Sequence, residues 1–195
     1  GEAHFIADYE IEVVLTNGKK EQFKGERIFI NTGAVPVMLP IPGLKESKYI
    51  LDSTQAMDEK KMPENLTIIG AGYIGLEFAS MFAKYGSKVT VLDHSREFLS
   101  REDDDISQLV KKDLEDAGVH FELGADIEEI IDEENEAKVR YQINGQEKEI
   151  SANRILAATG RKPNIENLGL ENTSIEITDR GAIKVDDFLR TTVDN

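Results

Sequence analysis

The segment from residue 66 to residue 93 constrains the fold more than any other, because it follows the order strand, glycine turn, helix, strand. An apolar run at 66–69 precedes three glycines in the spacing Gly70-x-Gly72-x-x-Gly75. Apolar side chains then recur every three or four positions, which favours a helix, and a β-branched run follows. This order predicts a βαβ unit with two parallel strands. The apolar face of its helix is predicted to consist of Ile74, Phe78, Met81, Phe82 and Tyr85.

Patterns after this unit predict one more helix and an antiparallel sheet. Ser100 is a candidate cap for a helix that ends at Gly118, and the acids at 102–105 suit the positive end of that helix. Its predicted buried stripe is Ile106, Leu109, Val110, Leu114 and Ala117. Three short strands follow, with a turn at Asn144-Gly145, before a parallel strand in "RILAATG".

The first part of the chain reads as a β-meander with a hairpin at Asn17-Gly18. A strand "RIFINTG" is predicted to end at Thr32-Gly33, and the prolines that follow exclude helix and indicate a linker. Residues 50–65 suggest a short helix opened by Asp52 or Ser53, and residues 181–195 suggest one more short strand.

Charge and composition exclude several classes of function. The 23 basic and 38 acidic residues give a net charge of -15, which opposes nucleic-acid and anionic-membrane partners. No apolar window suits a membrane helix and no leader pattern is present, so the sequence predicts a cytoplasmic protein. The chain has no cysteine, which excludes thiol chemistry within it, and its three scattered histidines predict no metal site.

The glycine spacing and the acid after the second strand predict a dinucleotide site. Gly70 permits a tight turn, Gly72 lets a pyrophosphate approach the backbone, and Gly75 lets helix and strand pack closely. Asp93 is placed to bind the ribose hydroxyls and to repel a 2′-phosphate, which favours NAD(H) over NADP(H). Arg96 is the counter-indication, since it could bind that phosphate or instead pair with the acids at 102–105.

Three separated motifs, "TIIGAGYIGLEFASMFAKYGSKVTVLD", "INTGAVP" and "AATGRKPN", give a resemblance over essentially the whole chain. The sequence resembles the pyridine nucleotide-disulfide oxidoreductases, the flavoenzyme family of glutathione reductase, dihydrolipoamide dehydrogenase and mercuric reductase. "REDDDI" and "DSTQAM" look most similar to its mercuric-reductase-like and reactive-chlorine-resistance branch. The resemblance implies hydride transfer from NAD(P)H to FAD and onward to a disulfide, metal ion or similar acceptor.

The resemblance also implies roles for individual residues. Thr32 and Gly33 would lie at the FAD, and Gly160 and Arg161 at the NAD ribose and nicotinamide end. Tyr73 and Ile74 would flank the nicotinamide, Tyr73 as a gate, although core packing is the simpler role for Ile74. Glu77 would support the nicotinamide and flavin site, although an exposed acid near a helix start needs no such role.

The expected fold is a three-layer Rossmann-like α/β domain: a parallel sheet, helices on one face and an antiparallel meander on the other. Residues 1–48 are expected to be FAD-domain strands plus linker, 49–180 the NAD(P)-binding domain, and 181–195 the start of the return to the FAD domain. The family's FAD glycine loop and redox cysteines are absent from the sequence, so we expect a fragment of a longer, homodimeric enzyme that binds NADH without turnover. An NADH oxidase, a ferredoxin-reductase-type flavoprotein without a redox disulfide and a non-catalytic NAD-sensing module stay open as alternatives.

Overall fold

The computed structural model describes residues 1–194, and the chain divides into two compact units. The sheet unit is Pro36–Gly160, and the hairpin unit comprises residues 1–35 and those from 161 onward. These divisions fall before the predicted boundaries after 48 and 180. Pro42 lies in the sheet unit, where its carbonyl accepts from the Ile130 N–H. Leu168 lies in the hairpin unit, where its carbonyl accepts from the Phe5 N–H. The assignment of either unit to NAD or FAD stays a prediction.

A five-stranded parallel sheet forms the centre of the sheet unit, in the order β5-β12-β6-β7-β8. Its strands are β5 (Ile50–Leu51), β6 (Asn65–Ile69), β7 (Lys88–Asp93), β8 (Val119–Leu123) and β12 (Arg154–Ala157). Both faces are buried, as expected for a parallel sheet. Successive side chains therefore enter different layers: Ile68 packs with the helices and Ile69 with the meander.

The helices cover one face of this sheet. They are α1 (Ser53–Met57), α2 (Tyr73–Lys84) and α3 (Asp104–Asp116). Phe78 and Phe82 of α2 stack on each other with ring centroids 6.2 Å apart, and both belong to the core under this face. Asp52 caps α1, which ends at Met57, so the predicted short helix is confirmed.

The antiparallel meander covers the other face, in the order β11-β10-β9. Its strands are β9 (Asp126–Asp132), β10 (Ala137–Ile143) and β11 (Gln146–Ala152). The turn at Asn144-Gly145 has φ values of 53° and 77°, the left-handed conformation that this pair favours. Because Val139 and Tyr141 are buried against this side of the sheet, the predicted three-layer fold is confirmed.

Two predicted helix faces are less buried than expected. Tyr85 caps the C-terminus of α2 and is 65% exposed. Helix α3 begins at Asp104, and Asp103 is its N-cap. Residues 98–102 form turns and a bend before the helix, so the prediction that Ser100 caps it is wrong. In its stripe Leu114 is buried, whereas Ile106 and Leu109 are exposed.

The hairpin unit contains an antiparallel sheet in the order β1-β2-β3 and a two-stranded pair of β4 with β13. These strands are β1 (Glu2–Ala7), β2 (Glu10–Val14), β3 (Lys20–Lys24), β4 (Ala34–Pro36) and β13 (Arg161–Pro163). The predicted hairpin at Asn17-Gly18 joins β2 to β3. A 3₁₀ turn, Leu170–Asn172, packs on β1.

Two strand predictions in the hairpin unit are wrong. Residues 27–33 form no strand, because no described segment pairs with them, and Phe29 is 89% exposed. Residues 181–194 form no strand, and Ile183 alone makes an isolated bridge, to Ile177. Across residues 1–194, no helix combines the length and the apolar character that crossing a bilayer requires.

Candidate functional site

The glycine turn between β6 and α2 is built so closely that two of its positions tolerate no side chain. Gly70 has φ +107°, and a Cβ on it would lie 2.5 Å from the Ala158 carbonyl oxygen. A Cβ on Gly75 would lie 2.1 Å from the Gly70 carbonyl oxygen, far inside van der Waals contact. Helix α2 therefore starts directly against the end of β6, which is the packing role expected for these glycines.

Gly72 differs from the other two glycines because open space surrounds it. It is exposed, has an ordinary φ of -76°, and a Cβ on it would meet no atom within 4 Å. It is the N-cap of α2, and no side chain caps this end. The first-turn N–H groups of α2 thus face outward without an intrahelical acceptor, in a field that favours an anion. This cradle fits a phosphate group that approaches the backbone.

Asp93, the last residue of β7, is held by two backbone N–H groups. Its Oδ2 accepts from the Ala71 N–H at 2.5 Å, and its Oδ1 accepts from the Ser95 N–H at 2.7 Å. The side chain is half-buried, and each oxygen keeps lone-pair capacity for a further donor. The acid is thus fixed beside the glycine turn and remains able to accept hydrogen bonds from hydroxyl groups.

A cavity of about 410 Å³ opens at the carboxyl ends of β6, β7 and β12. Its walls are mostly apolar, and Gly70, Asp93, His94, Asp126 and Thr159 supply the polar groups. The apolar lining residues are Leu39, Pro40, Ile41, Ile69, Leu92, Ala125 and Ile127. A mostly apolar cavity with few polar groups suits a flat heteroaromatic ring such as adenine.

The cavity wall at 39–41 is fixed to the meander by the residues that follow it. Pro42 accepts a backbone hydrogen bond from Ile130 at 2.8 Å, and a Cβ on Gly43 would lie 2.0 Å from the Ile130 carbonyl oxygen. Gly43 has φ +78°, so glycine is required there for conformation and for space. Sequence reasoning identified this segment only as a linker.

The charged rim of the cavity differs from the predicted pairing of Arg96. His94 Nδ1 lies 2.5 Å from Asp126 Oδ1, and both side chains are exposed. The Arg96 stem lies 3.1 Å from the position that a Cβ on Gly124 would take. Arg96 forms no ion pair among the described residues, so the predicted alternative, a pair with one of the acids at 102–105, is absent there. No cluster of three or more potential metal-ligating side chains occurs in residues 1–194.

The three site candidates on α2 have different surroundings. Tyr73, at the first position of α2, donates its hydroxyl hydrogen bond to the Glu102 carboxylate, which raises the pKa of the phenol. Ile74 is half-buried and packs against the helix-side core, as its simpler role requires. Glu77 is exposed, and no ion pair to it occurs within residues 1–194. Their places beside the nicotinamide stay predictions.

The two Thr-Gly motifs fall in different units. In the sheet unit, Gly160 has φ +110° and its carbonyl accepts from the Val37 N–H at 3.0 Å. In the hairpin unit, Asn164 binds both residues of the other motif: its N–H donates to the Gly33 carbonyl at 3.0 Å and its Nδ2 to the Thr32 carbonyl at 3.1 Å. Arg161 Nη2 donates to the Ala34 carbonyl at 2.5 Å. Their roles at FAD and NAD stay predictions.

Three features of the sheet unit together fit a dinucleotide. The open cradle at Gly72 accommodates a phosphate, the fixed carboxylate of Asp93 suits ribose hydroxyls, and the apolar cavity beside them suits a base. All three lie at the carboxyl edge of a parallel sheet, where such folds bind nucleotides.

A family model for pyridine nucleotide-disulphide oxidoreductases matches residues 4–195. The chain belongs to this family. A probable pyridine nucleotide-disulfide oxidoreductase, RclA of Escherichia coli K12, is 43% identical over all 195 residues, and a mercuric reductase of Bacillus cereus is 39% identical over 192 residues. The solved HOCl-induced flavoprotein disulfide reductase RclA from Escherichia coli superposes with a TM-score of 0.91 at 42% identity over the whole chain. The predicted family is confirmed.

The chain spans less than half the length of these relatives. It covers 43% of the RclA sequence, 30% of the mercuric reductase and 43% of the solved RclA chain. Both curated relatives are named as a reductase or an oxidoreductase.

Proposed function

We propose that the sheet unit binds NAD(H) and serves an FAD-dependent oxidoreductase of the family named above. The observation that carries the proposal is the direct hydrogen bond between the glycine turn and Asp93, at the mouth of an apolar cavity. This bond sets the phosphate cradle and the ribose acceptor at a fixed spacing. A lone glycine motif would not provide that spacing, since such motifs recur by chance.

In this proposal each group of residues has one binding task. The N–H groups at the start of α2 donate to the pyrophosphate oxygens, which pass close to the backbone because Gly72 has no side chain. Asp93 accepts hydrogen bonds from the adenosine ribose hydroxyls. The apolar walls from Leu39 to Ile41 and from Ile127 enclose the adenine and exclude water from it.

The bound nicotinamide would supply a hydride to FAD, and the flavin would pass electrons to a disulfide, metal ion or similar acceptor. Tyr73, Ile74 and Glu77 lie on the first two turns of α2, from which they would orient the nicotinamide end. Because the chain has no cysteine, its own contribution is nucleotide binding and positioning, not thiol chemistry. Contacts of Thr32, Gly33, Gly160 and Arg161 with the cofactors belong to the same proposal.

Calorimetric titration with NADH and NADPH tests this function directly. We expect NADH to bind the unaltered chain at a single site and more tightly than NADPH. Asp93→Ala should weaken NADH binding by about tenfold or more, since it removes charge-assisted hydrogen bonds to the ribose. Thermal unfolding of the same variant establishes that it is folded. Failure of NADH to bind the folded, unaltered chain would contradict the proposal.

A further inference from the structure

The rim of the apolar cavity carries a second acid, Asp126, next to a backbone segment that is bonded to Asp93. The lining residues that carry ionisable side chains are Asp93, His94 and Asp126. The two acids come from different elements, the end of β7 and the start of β9. One acid of the rim was predicted from the sequence, and Asp126 was not.

Backbone hydrogen bonds lock the start of β9 to the end of β7. The Ala125 N–H donates to the Asp93 carbonyl at 2.8 Å, and the Gly124 N–H donates to the Ser95 carbonyl at 2.9 Å. Asp126 therefore has a set place beside Asp93, even though its side chain is exposed. A ligand group held by Asp93 must lie in the field of both carboxylates.

Two potential cations stand beside these acids, and Asp126 engages one of them. His94 Nδ1 lies 2.5 Å from Asp126 Oδ1, so this carboxylate holds the imidazole on its own side. Arg96 is exposed and carries no ion pair within residues 1–194. The aliphatic part of its side chain packs over Gly124, two residues before Asp126. Arg96 is thus already unpaired among the described residues, and loss of Asp126 would release His94 as a second group for an anion at the rim.

We propose that Asp126 is a second specificity-determining residue, which acts with Asp93 to favour a 2′-hydroxyl over a 2′-phosphate on the adenosine ribose. This inference rests on the proposed NAD(H) site. Asp93 discriminates by accepting hydrogen bonds from the hydroxyls. Asp126 discriminates by charge: it repels a 2′-phosphate and holds His94 away from it. Because the rim is exposed, this second contribution is screened by salt.

The test is the ratio of the NADPH to the NADH dissociation constant, measured by titration on the unaltered chain and on Asp126→Asn. We expect the substitution to lower this ratio about three- to tenfold, the size of effect of one nearby charge at an exposed rim. In 0.5 M salt the change should shrink, because the Debye length falls to a few ångströms, roughly 4 Å.

Asp116→Asn is the matched control, since it removes the same charge from the chain. Asp116 is exposed at the end of α3, and only Ala117 and Gly118 separate it from β8, so it lies at the amino edge of the sheet, opposite the cavity. Its substitution should leave the ratio unchanged. The double variant Asp126→Asn/His94→Gln should recover part of the original ratio, because it removes the imidazole released by the first change.

The outcomes separate this inference from the function on which it rests. If NADH binds and Asp126→Asn leaves the ratio unchanged, or Asp116→Asn changes it equally, Asp126 has no role in selectivity and the inference is wrong. If NADH does not bind the unaltered, folded chain, the proposed function fails and this inference fails with it. A fall in the ratio that is specific to Asp126 and weaker in salt supports both.

Discussion

Asp93 Oδ2 accepts a hydrogen bond from the Ala71 N–H at 2.5 Å, which joins the acid at the end of β7 to the glycine turn after β6. Its other oxygen holds the Ser95 N–H. The acid that sequence patterns assign to ribose binding is therefore also a structural link between the two loops. We therefore expect removal of this acid to change the stability of the chain as well as the proposed nucleotide binding.

Asp93→Ala should destabilise the chain even without a cofactor. The substitution leaves the N–H groups of Ala71 and Ser95 without their acceptor, at a cost of about 1–3 kcal/mol in the free energy of unfolding. Urea unfolding of the chain without nucleotide measures this cost, and Asp116→Asn provides an acid substitution outside the link. Equal stability of Asp93→Ala and the unaltered chain would show that the two hydrogen bonds to the Asp93 carboxylate contribute nothing.

Gly75→Ala should be far more disruptive than Gly72→Ala. A Cβ at position 75 would lie 2.1 Å from the Gly70 carbonyl oxygen, whereas a Cβ at position 72 meets nothing within 4 Å. We expect a loss of about 2 kcal/mol or more for Gly75→Ala and of less than about 1 kcal/mol for Gly72→Ala. Thermal or urea unfolding distinguishes them, and similar losses at both positions would contradict the described packing of the turn.

The ion pair between Arg154 and Glu59 should make stability depend on pH. Arg154 Nε donates to Glu59 Oε2 at 2.7 Å, and this hydrogen bond lowers the pKa of the largely buried Glu59 carboxyl. A lowered folded-state pKa stabilises the fold above the unfolded-state pKa of about 4.3, and the stabilisation is lost as pH falls through the folded value. Arg154→Met should therefore cost about 1 kcal/mol at pH 7 and progressively less below about pH 4.

Urea unfolding at several pH values between about 3 and 7 checks this dependence. Lys88→Met is the control, because the pair of Lys88 with Glu64 spans 3.5 Å and both side chains are at least 75% exposed. Such a pair contributes little to stability at any pH. A loss in Arg154→Met that stays constant across the pH range would indicate lost packing of the arginine stem instead of the ion pair.

The sequence predicted the elements whose signals are local. The glycine turn, α2 and the hairpin at Asn144-Gly145 depend on residues close in sequence, and the structure places them where the pattern indicates. The strand at 27–33 failed because a strand needs a partner, and residue patterns alone do not reveal that the described chain offers none. Helix α3 begins later than predicted because residues 98–102 form turns and a bend. The acids at 102–105 resemble the first turn of a helix, so the sequence pattern did not indicate these turns.

The candidate site was predicted only in part for the same reason. Gly70, Gly75 and Asp93 belong to one motif with a known spacing. The cavity wall at 39–41 and the rim acid Asp126 reach the site through long-range packing: Ile130 binds Pro42, and Ala125 binds Asp93. The one sequence signal for the wall was the glycine after it, Gly43, whose positive φ and close contact with Ile130 fix the segment.

The most direct test of the central claim is NADH titration of the unaltered chain beside Gly72→Ala. Position 72 is open, so the added methyl group should leave unfolding nearly unchanged and still obstruct the phosphate approach. Lys84→Ala, at the far end of α2, serves as the control. We expect NADH binding to weaken about tenfold or more in Gly72→Ala alone, through lost phosphate hydrogen bonds. Equal NADH affinity of Gly72→Ala and the unaltered chain would contradict a dinucleotide site at this turn.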